Sequence, residues 1–375
     1  MKYILSIDWL SLYCTMDYAS EQWQGVSGTA GTIGDAYPWK YEVMPYGTRQ
    51  YKHLTKVAAM NEQGGWDEFA EVQSAPYSGI LDPRSVIVRF VNRQLYKQGF
   101  WELLDTFLRD NEFTFRSISR IDICADFNTF DCCTPLQLIE GFAAKKYRHV
   151  GRGVGALYFD HGLRRVKDSQ GRPTDIKEYG VHYTGLSFGT HESDARVYLY
   201  NKTFELAVEK DKPYIRDTWK SIGLDVRDVW RLEVSIKSKA KTFKWGKSNQ
   251  TVTIDLNAAK DSSEVLPMIY LGFVKQLFAF VVNRKGITNI SREPRLELFR
   301  DGAFYDRAVI RNVSGGGRLE KILIKGLFTL GKTYRGVDDD ITDMAQSFAV
   351  QLAESADMSD WMSRKIDEWT RETYK

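Results

Sequence analysis

Three stretches of this 375-residue chain carry ionisable and phenolic side chains two residues apart, the spacing that places them on one face of a strand. In residues 119–128 the alternation aligns Arg120, Asp122, Cys124 and Asp126 against Ile121, Ile123, Ala125 and Phe127. In residues 196–205 it aligns Arg196, Tyr198, Tyr200 and Lys202. In residues 230–238 it aligns Arg231, Glu233, Ser235 and Lys237 against Trp230, Leu232, Val234 and Ile236. Each set alone has a plain explanation: Arg-x-Asp is a common cross-strand ion pair, strand tyrosines usually pack, and a lysine at a strand end is solvated. If the three strands are neighbours, one sheet face holds acids, tyrosines and cations together. The chemistry that suits such a set is phosphodiester transfer. Carboxylates hold a hard divalent cation that polarises a phosphate, and a tyrosine oxygen attacks phosphorus to give a covalent DNA adduct. A nearby lysine lowers the phenol pKa and steadies developing charge.

The charge distribution points the same way. The whole chain carries +3, yet residues 336–375 hold ten acids against four bases. Residues 144–177 hold nine Lys/Arg, among them Arg148, Arg164 and Arg165, against three Asp. Residues 235–250 hold five lysines (Lys237, Lys239, Lys241, Lys244, Lys247) and no acid. Basic clusters beside Tyr147, Phe243 and Trp245 form the footprint of a polyphosphate partner. The expectation is a DNA clamp made of these two segments on opposite edges of the sheet.

The elements that position these residues follow from periodicity. Residues 3–15 read as a strand with Ile7, Trp9 and Ser11 on one face and Asp8, Leu10 and Leu12 on the other. Strands follow near residues 39–44, 50–59, 66–76, 85–95, 113–127, 177–189, 194–204 and 226–237. Helical spacing marks residues 99–109, and Thr134-Pro135 caps a helix running to about residue 147. The result is an α+β fold: a largely antiparallel sheet with helices on one face. After about residue 253 the texture becomes helical, with helices over 264–283, 341–355 and 360–372. The division expected is 1–254 and 255–375. The apolar run 265–282 is broken by Pro267, Lys275 and Gln276, so it reads as a buried helix and no membrane is expected. Four cysteines without framework or metal spacing, and no leader-like segment, point to the cytoplasm.

Two catalytic patterns match by accident. Gly326 to Thr333 fits phosphate-loop spacing, but too little chain follows for an ATPase sheet. Gly185-Leu186-Ser187-Phe188-Gly189 fits the serine-hydrolase elbow, yet no histidine follows His191.

Five segments in this order, Ile7-Asp8-Trp9-Leu10-Ser11, Arg120-Ile121-Asp122-Ile123-Cys124-Ala125-Asp126, Gly185 to Gly189, Arg196-Val197-Tyr198-Leu199-Tyr200-Asn201-Lys202-Thr203-Phe204-Glu205 and Arg231-Leu232-Glu233, resemble the replication initiation factor family. That family comprises Rep proteins of rolling-circle plasmids and filamentous phages and related relaxases of mobile elements. The resemblance spans about residues 3–240. It implies a sheet related to the rolling-circle nuclease fold without its histidine pair, in keeping with the lack of an HxH here. It implies a metal-dependent nickase and strand transferase that cuts origin DNA, single-stranded or supercoiled, and stays on the 5′ phosphate. It maps the nucleophile onto Tyr200, with Tyr198 second and Lys202 assisting. Mg2+ or Mn2+ would rest on Asp122 and Glu233, then Asp126 and Glu205. Arg120, Arg196, Arg231, Arg148, Arg164, Arg165, Lys237, Lys239 and Lys241 would contact DNA. The resemblance also implies a homodimer, a host helicase or polymerase as partner, and origin recognition or dimerisation by residues 255–375.

Two rivals share these residues. His161-Gly162-Leu163-Arg164 with a later tyrosine imitates a tyrosine recombinase, metal-independent and 3′-linked, but the surrounding glycines oppose the helices that site needs. A non-catalytic single-strand DNA-binding protein would use the same aromatic and basic face.

Overall fold

Alternating apolar residues with β-branched or aromatic neighbours build most of the first 240 residues into strands, and the computed structural model shows how they pair. It describes residues 1–23, 39–77, 81–150, 155–160, 164–167, 173–176, 182–190, 193–208, 211–238, 240, 242–245, 250–284, 293–300, 310–312, 318–335, 337–355 and 362. The strands are β1 (Tyr3–Thr15), β2 (Trp39–Val43), β3 (Tyr51–Met60), β4 (Trp66–Pro76), β5 (Ser85–Phe90), β6 (Thr114–Phe127), β7 (Tyr147–His149), β8 (Gly155–Asp160), β9 (Arg164–Lys167), β10 (Pro173–Ile176), β11 (His182–Phe188), β12 (Ala195–Asn201) and β13 (Trp230–Lys237). Ten of them form one sheet in the order β2-β3-β4-β5-β1-β6-β13-β12-β11-β8. Every neighbouring pair in it is antiparallel. The fold is therefore the α+β class with a largely antiparallel sheet.

The main core lies on one face of this sheet. Helices α2 (Phe100–Asp110), α3 (Pro135–Ala143) and α7 (Val265–Leu277) bury Phe107, Leu138 and Phe273 there, against Ile121, Ile123 and Leu232. An aromatic cluster closes one end of this core. The Trp39 and Phe107 ring centroids lie 5.0 Å apart, Phe69 and Phe107 5.3 Å, and Phe69 and Phe90 5.4 Å, in edge contacts that add to area burial. Helix α3 starts where Thr134-Pro135 requires it. Thr134 accepts from the Gln137 N–H while the Gln137 side chain accepts from the Thr134 N–H, a complete capping box. The short helices α4 (Lys202–Val208) and α5 (Pro213–Ser221) form a second cluster, with Leu206, Ile215 and Trp219 packed near Ile4 and Tyr96. A single helical turn, α1 (Asn92–Leu95), ends at Tyr96, and α6 (Leu256–Lys260) precedes α7.

Several expectations change. Strand β12 ends at Asn201, so Lys202 opens helix α4 instead of continuing the strand. Strand β5 stops at Phe90, and the Asn92–Leu95 turn takes over. The alternation drawn through residues 7–11 breaks at Asp8. Ile7 pairs with Ile123 and Trp9 with Asp122, so β1 has one extra residue against β6, a β-bulge. Ile7 faces the core, Trp9 crosses to the opposite face, and Asp8 is the extra residue. Helix α7 ends at Leu277, and Phe280–Val282 turns back as a short strand that pairs with β7. The helix 360–372 lies outside the described residues, apart from Met362.

The compact units divide at 311/312, downstream of the expected 254/255. The reason is α7: its Tyr270 hydroxyl donates to the Leu232 carbonyl at 2.9 Å, and its apolar residues complete the main core. The second unit, Asn312–Lys375, contains a hairpin of α8 (Arg318–Tyr334) and α9 (Asp339–Ser355). The phosphate-loop pattern falls inside α8, so no loop is present to cradle a phosphate. Gly331 is explained by packing, because a Cβ there would lie 3.2 Å from the Thr342 carbonyl oxygen of α9. No helix among the described residues is long and apolar enough to cross a membrane.

Phe107 touches Trp39, Phe69 and Phe113, and truncating such a residue removes apolar burial and leaves a cavity. Phe107→Ala should lower unfolding free energy by about 3–5 kcal/mol, read as a shift of the denaturant midpoint at unchanged slope.

Candidate active site

The three stretches are neighbours, and register aligns them. Asp126 lies opposite Arg231 and Arg231 opposite Tyr200; Cys124, Glu233 and Tyr198 form the next row; Asp122, Ser235 and Arg196 the next; Arg120 and Lys237 the last. Because side chains repeat with period two, all of these project from the face opposite the main core.

At one end sits Arg231, with no solvent exposure. Its Nε and Nη2 donate to the two Asp126 oxygens at 2.6 and 2.8 Å, its Nη1 to Asp8 Oδ1 at 2.5 Å, and its Nη2 also to the Tyr96 hydroxyl at 3.0 Å. Trp219 Nε1 donates to Asp126 Oδ2 at 2.7 Å, and the Tyr96 hydroxyl donates to Asp8 Oδ1 at 2.8 Å. Burial works to raise the Asp8 pKa, but Arg231, Lys202 and the Asn92 and Tyr96 hydrogen bonds hold it well below the usual carboxylate range. Arg231, expected to touch DNA, is thus a buried strut, and Asp126, expected to bind metal, is occupied by Arg231 and Trp219. Asp8 and Trp219 were not singled out from sequence. A carboxylate inside an otherwise apolar strand was the available signal for Asp8; Trp219, on a helix far along the chain, had none.

Next to this strut stands the reactive pair. The Tyr200 hydroxyl donates to Glu233 Oε2 at 3.1 Å and accepts from Lys202 Nζ at 3.4 Å. Lys202 is 1% exposed and also pairs with Glu205 at 2.5 Å, so Glu205 is committed as well. Burial, reinforced by Asp122 and Asp8, raises the Glu233 pKa from 4.5 to about 7. Burial, then the Glu233 charge, pushes the Tyr200 phenol well above its usual range. The expected lowering by Lys202 is outweighed, and the group ready to take the phenolic proton near neutral pH is Glu233.

Tyr198 stacks on Tyr200 with ring centroids 4.5 Å apart, and tilts against Tyr158 at 4.9 Å. A Cβ on Gly185 would lie 2.9 Å from the Tyr198 ring and 2.8 Å from the Leu199 carbonyl oxygen, so this strand position must be glycine for the ring to lie flat. Gly185 and Ser187 are ordinary ladder residues of β11, not a nucleophile elbow.

A cleft of about 60 Å³ opens beside the pair, lined by Arg120, Thr190, Ser193, Arg196, Tyr198, Glu233, Ser235 and Lys237. Tyr198 lines it, and Tyr200 lies behind. Thr190 and Ser193 were not expected; they belong to the turn between β11 and β12. Asp122 is gripped by Arg120 Nε at 2.9 Å and Nη2 at 2.5 Å, and burial raises its pKa against the pull of Arg120. Trp9 carries the Arg120 guanidinium over its ring at 4.6 Å and that of Arg89 at 5.0 Å. Lys237 leaves from an interior strand, between β6 and β12, rather than from a sheet edge, whereas β8, within the other expected clamp segment, is an edge strand; much of both segments lies outside the described residues. Arg148 lies on β7, outside the ten-stranded sheet. Lys239, Lys241 and His161 lie outside the described residues, as do the side chains of Arg164 and Arg165.

Among the described residues no three His, Cys, Asp or Glu side chains converge as a ready metal cage. Magnesium, however, commonly uses one or two carboxylates and takes its remaining oxygens from water and substrate phosphate. Asp122 and Glu233 fit that pattern: burial raises both, and Asp122 adds to the difficulty of ionising Glu233, which a cation relieves. Asp126 and Glu205, held by the buried cations Arg231 and Lys202, do not, whereas the Arg120 that holds Asp122 is partly exposed and free to give way to a cation.

No family model and no curated protein matches the sequence. Among solved structures, the chain is similar to a rolling circle replication initiator protein from Geobacillus stearothermophilus, at 13% identity and a TM-score of 0.43, covering 79% of this chain and 94% of that one.

Arg231→Ala strands Asp126 and Asp8 as buried, unpaired acids, and should cost about 3–5 kcal/mol of folding stability by denaturant titration. Glu233 gives a pH signature. Its folded pKa lies above its unfolded value, so its contribution is complete below about pH 4.5 and is lost as pH rises through about 7. Glu233→Gln should flatten the stability–pH curve across that interval.

Proposed function

We propose that this protein nicks and rejoins DNA through Tyr200, leaving the 5′ phosphate on the tyrosine, and initiates rolling-circle replication or transfer of a mobile element. The observation that carries this reading is the Lys202–Tyr200–Glu233 hydrogen-bonded chain beside a cleft lined by Arg120, Arg196 and Lys237. The five-segment resemblance to the replication initiation factor family supports it.

In this mechanism the cations of the cleft seat a backbone phosphate. Tyr200 Oη attacks phosphorus as its proton passes to Glu233 Oε2. The 3′ oxygen departs with the bonding electrons, takes a proton from solvent, and is left as a free hydroxyl. Lys202 steadies the phenolic oxygen as charge develops on it. The reverse sequence, with Glu233 returning the proton, rejoins strands. A divalent cation, Mg2+ or Mn2+, shared by Asp122 and Glu233 would supply Lewis-acid stabilisation of the phosphate charge. DNA is the partner implied; assembly as a homodimer and the engagement of a host helicase or polymerase belong to the same proposal, as does a cytoplasmic setting.

Incubation with labelled single-stranded or supercoiled origin DNA, with manganese or chelator, should give a metal-dependent, 5′-linked adduct on a denaturing gel. Tyr200→Phe should abolish it and leave DNA affinity within about fivefold, since one neutral hydroxyl hydrogen bond is worth about 1 kcal/mol. A 3′-linked adduct that survives chelator would identify a recombinase instead. Tight binding with no adduct, unchanged in Tyr200→Phe, would identify a binding protein.

A further inference from the structure

Cys132 and Cys133 take no part in the site above. They lie in the turn between β6 and α3, with Cys132 exposed and Cys133 half-buried. Their sulfurs face one another at 3.6 Å, the Cys132 thiol directed at Cys133. Adjacent residues in an extended chain turn their side chains to opposite sides, so this facing arrangement is a property of the turn. The turn is pinned on both sides. Phe130 N–H donates to the Cys133 carbonyl at 3.0 Å, and the Thr129 hydroxyl reaches the same oxygen at 3.2 Å. Asp131 accepts from the Met1 ammonium at 2.7 Å and from the Arg300 N–H at 2.6 Å. Thr134 immediately afterwards caps α3.

We propose that Cys132 and Cys133 form a vicinal dithiol modification site, which takes up thiol-specific two-electron oxidants of the small-disulfide class and chelates trivalent arsenicals. The chemistry follows from the pairing. The hydrogen bond shared with Cys133, helped by Arg300 and opposed by burial and Asp131, brings the Cys132 thiol down to about 7, while the same bond and burial push the Cys133 thiol up, so Cys132 is the one that attacks near neutral pH. The thiolate attacks one sulfur of a small disulfide, forming a mixed disulfide and expelling the other half as thiolate. With Cys132 Sγ now in the mixed disulfide, the hydrogen bond that held the Cys133 proton is gone; Cys133 Sγ attacks Cys132 Sγ, closing a ring of the two residues, and its proton leaves with the second half, released as thiol. Both cysteines are oxidised, and one small disulfide is reduced to two thiols. Two adjacent residues close a strained ring, so a thiol reductant reopens it readily.

The test uses the reduced full-length chain and oxidised glutathione, followed by intact and peptide mass measurement. The expected product is a monomer whose peptide containing Cys132 and Cys133 has lost two hydrogens and retains no glutathione. Cys133→Ser should halt at a glutathione adduct on Cys132, and Cys132→Ser should react at least tenfold more slowly. In parallel, phenylarsine oxide should bind one equivalent on the wild type and wash off either serine variant. A stable glutathione adduct on wild-type Cys132, a disulfide-linked dimer, or equal arsenical uptake by the serine variants would overturn the proposal. Near-native circular dichroism of the variants is expected, since Ser replaces partly exposed thiols.

Discussion

A guanidinium with no access to water sets the terms for one end of the sheet. Removing a charge from water costs several kcal/mol unless its donors are met, and Arg231 meets that demand with partners from three places in the chain, Asp8 on β1, Asp126 on β6 and Tyr96 after α1, while Trp219 on α5 donates to Asp126 from behind. None of these contacts survives a slip of one residue between strands, because such a slip turns each side chain to the other face. The ion cluster therefore fixes the register of β13 against β6 and β1, and with it the position of Glu233 two residues along.

That placement separates two kinds of acid. Asp8 and Asp126 face a permanent cation, and they serve the architecture. Glu233 and Asp122 sit where burial outweighs the cations beside them, Arg120 on Asp122 included, and their protons are held more tightly than usual for carboxyls. Groups whose environments pull their proton affinities apart are the ones available for acid–base work. The phenol of Tyr200 lies on the boundary between these regimes, with a carboxylate on one side and a buried ammonium on the other. Tyr198, packed between Tyr200 and Tyr158, stands between that phenol and the cleft.

Much of this was legible from spacing. Period-two alternation in residues 119–128, 196–201 and 230–237 correctly placed the polar face, and Thr134-Pro135 correctly started α3. Parity, however, says only which face a residue occupies. It could not tell that Arg231 and Asp126 consume each other, nor that Tyr198 rather than Tyr200 lines the cleft, because both depend on what packs above the sheet. It also failed where the pleat itself is broken: nothing in Ile7-Asp8-Trp9 marks a bulge. Lys202 was placed on the right side for the wrong reason, since its reach to Tyr200 comes from the first turn of α4. The boundary at 254/255 followed a change in composition, whereas the apolar faces of α7 complete a core begun by strands hundreds of atoms earlier.

The extra residue in β1 has a further meaning. Remove Asp8 in imagination, and Ile7, Trp9, Leu10 and Ser11 alternate correctly between core and open face, each against its present partner on β6. The ladder does not count Asp8 at all. The anchor of the buried cation thus stands outside the pairing count of the strand that carries it: position 8 answers to Arg231 and Tyr96, while the residues on either side of it answer to β6.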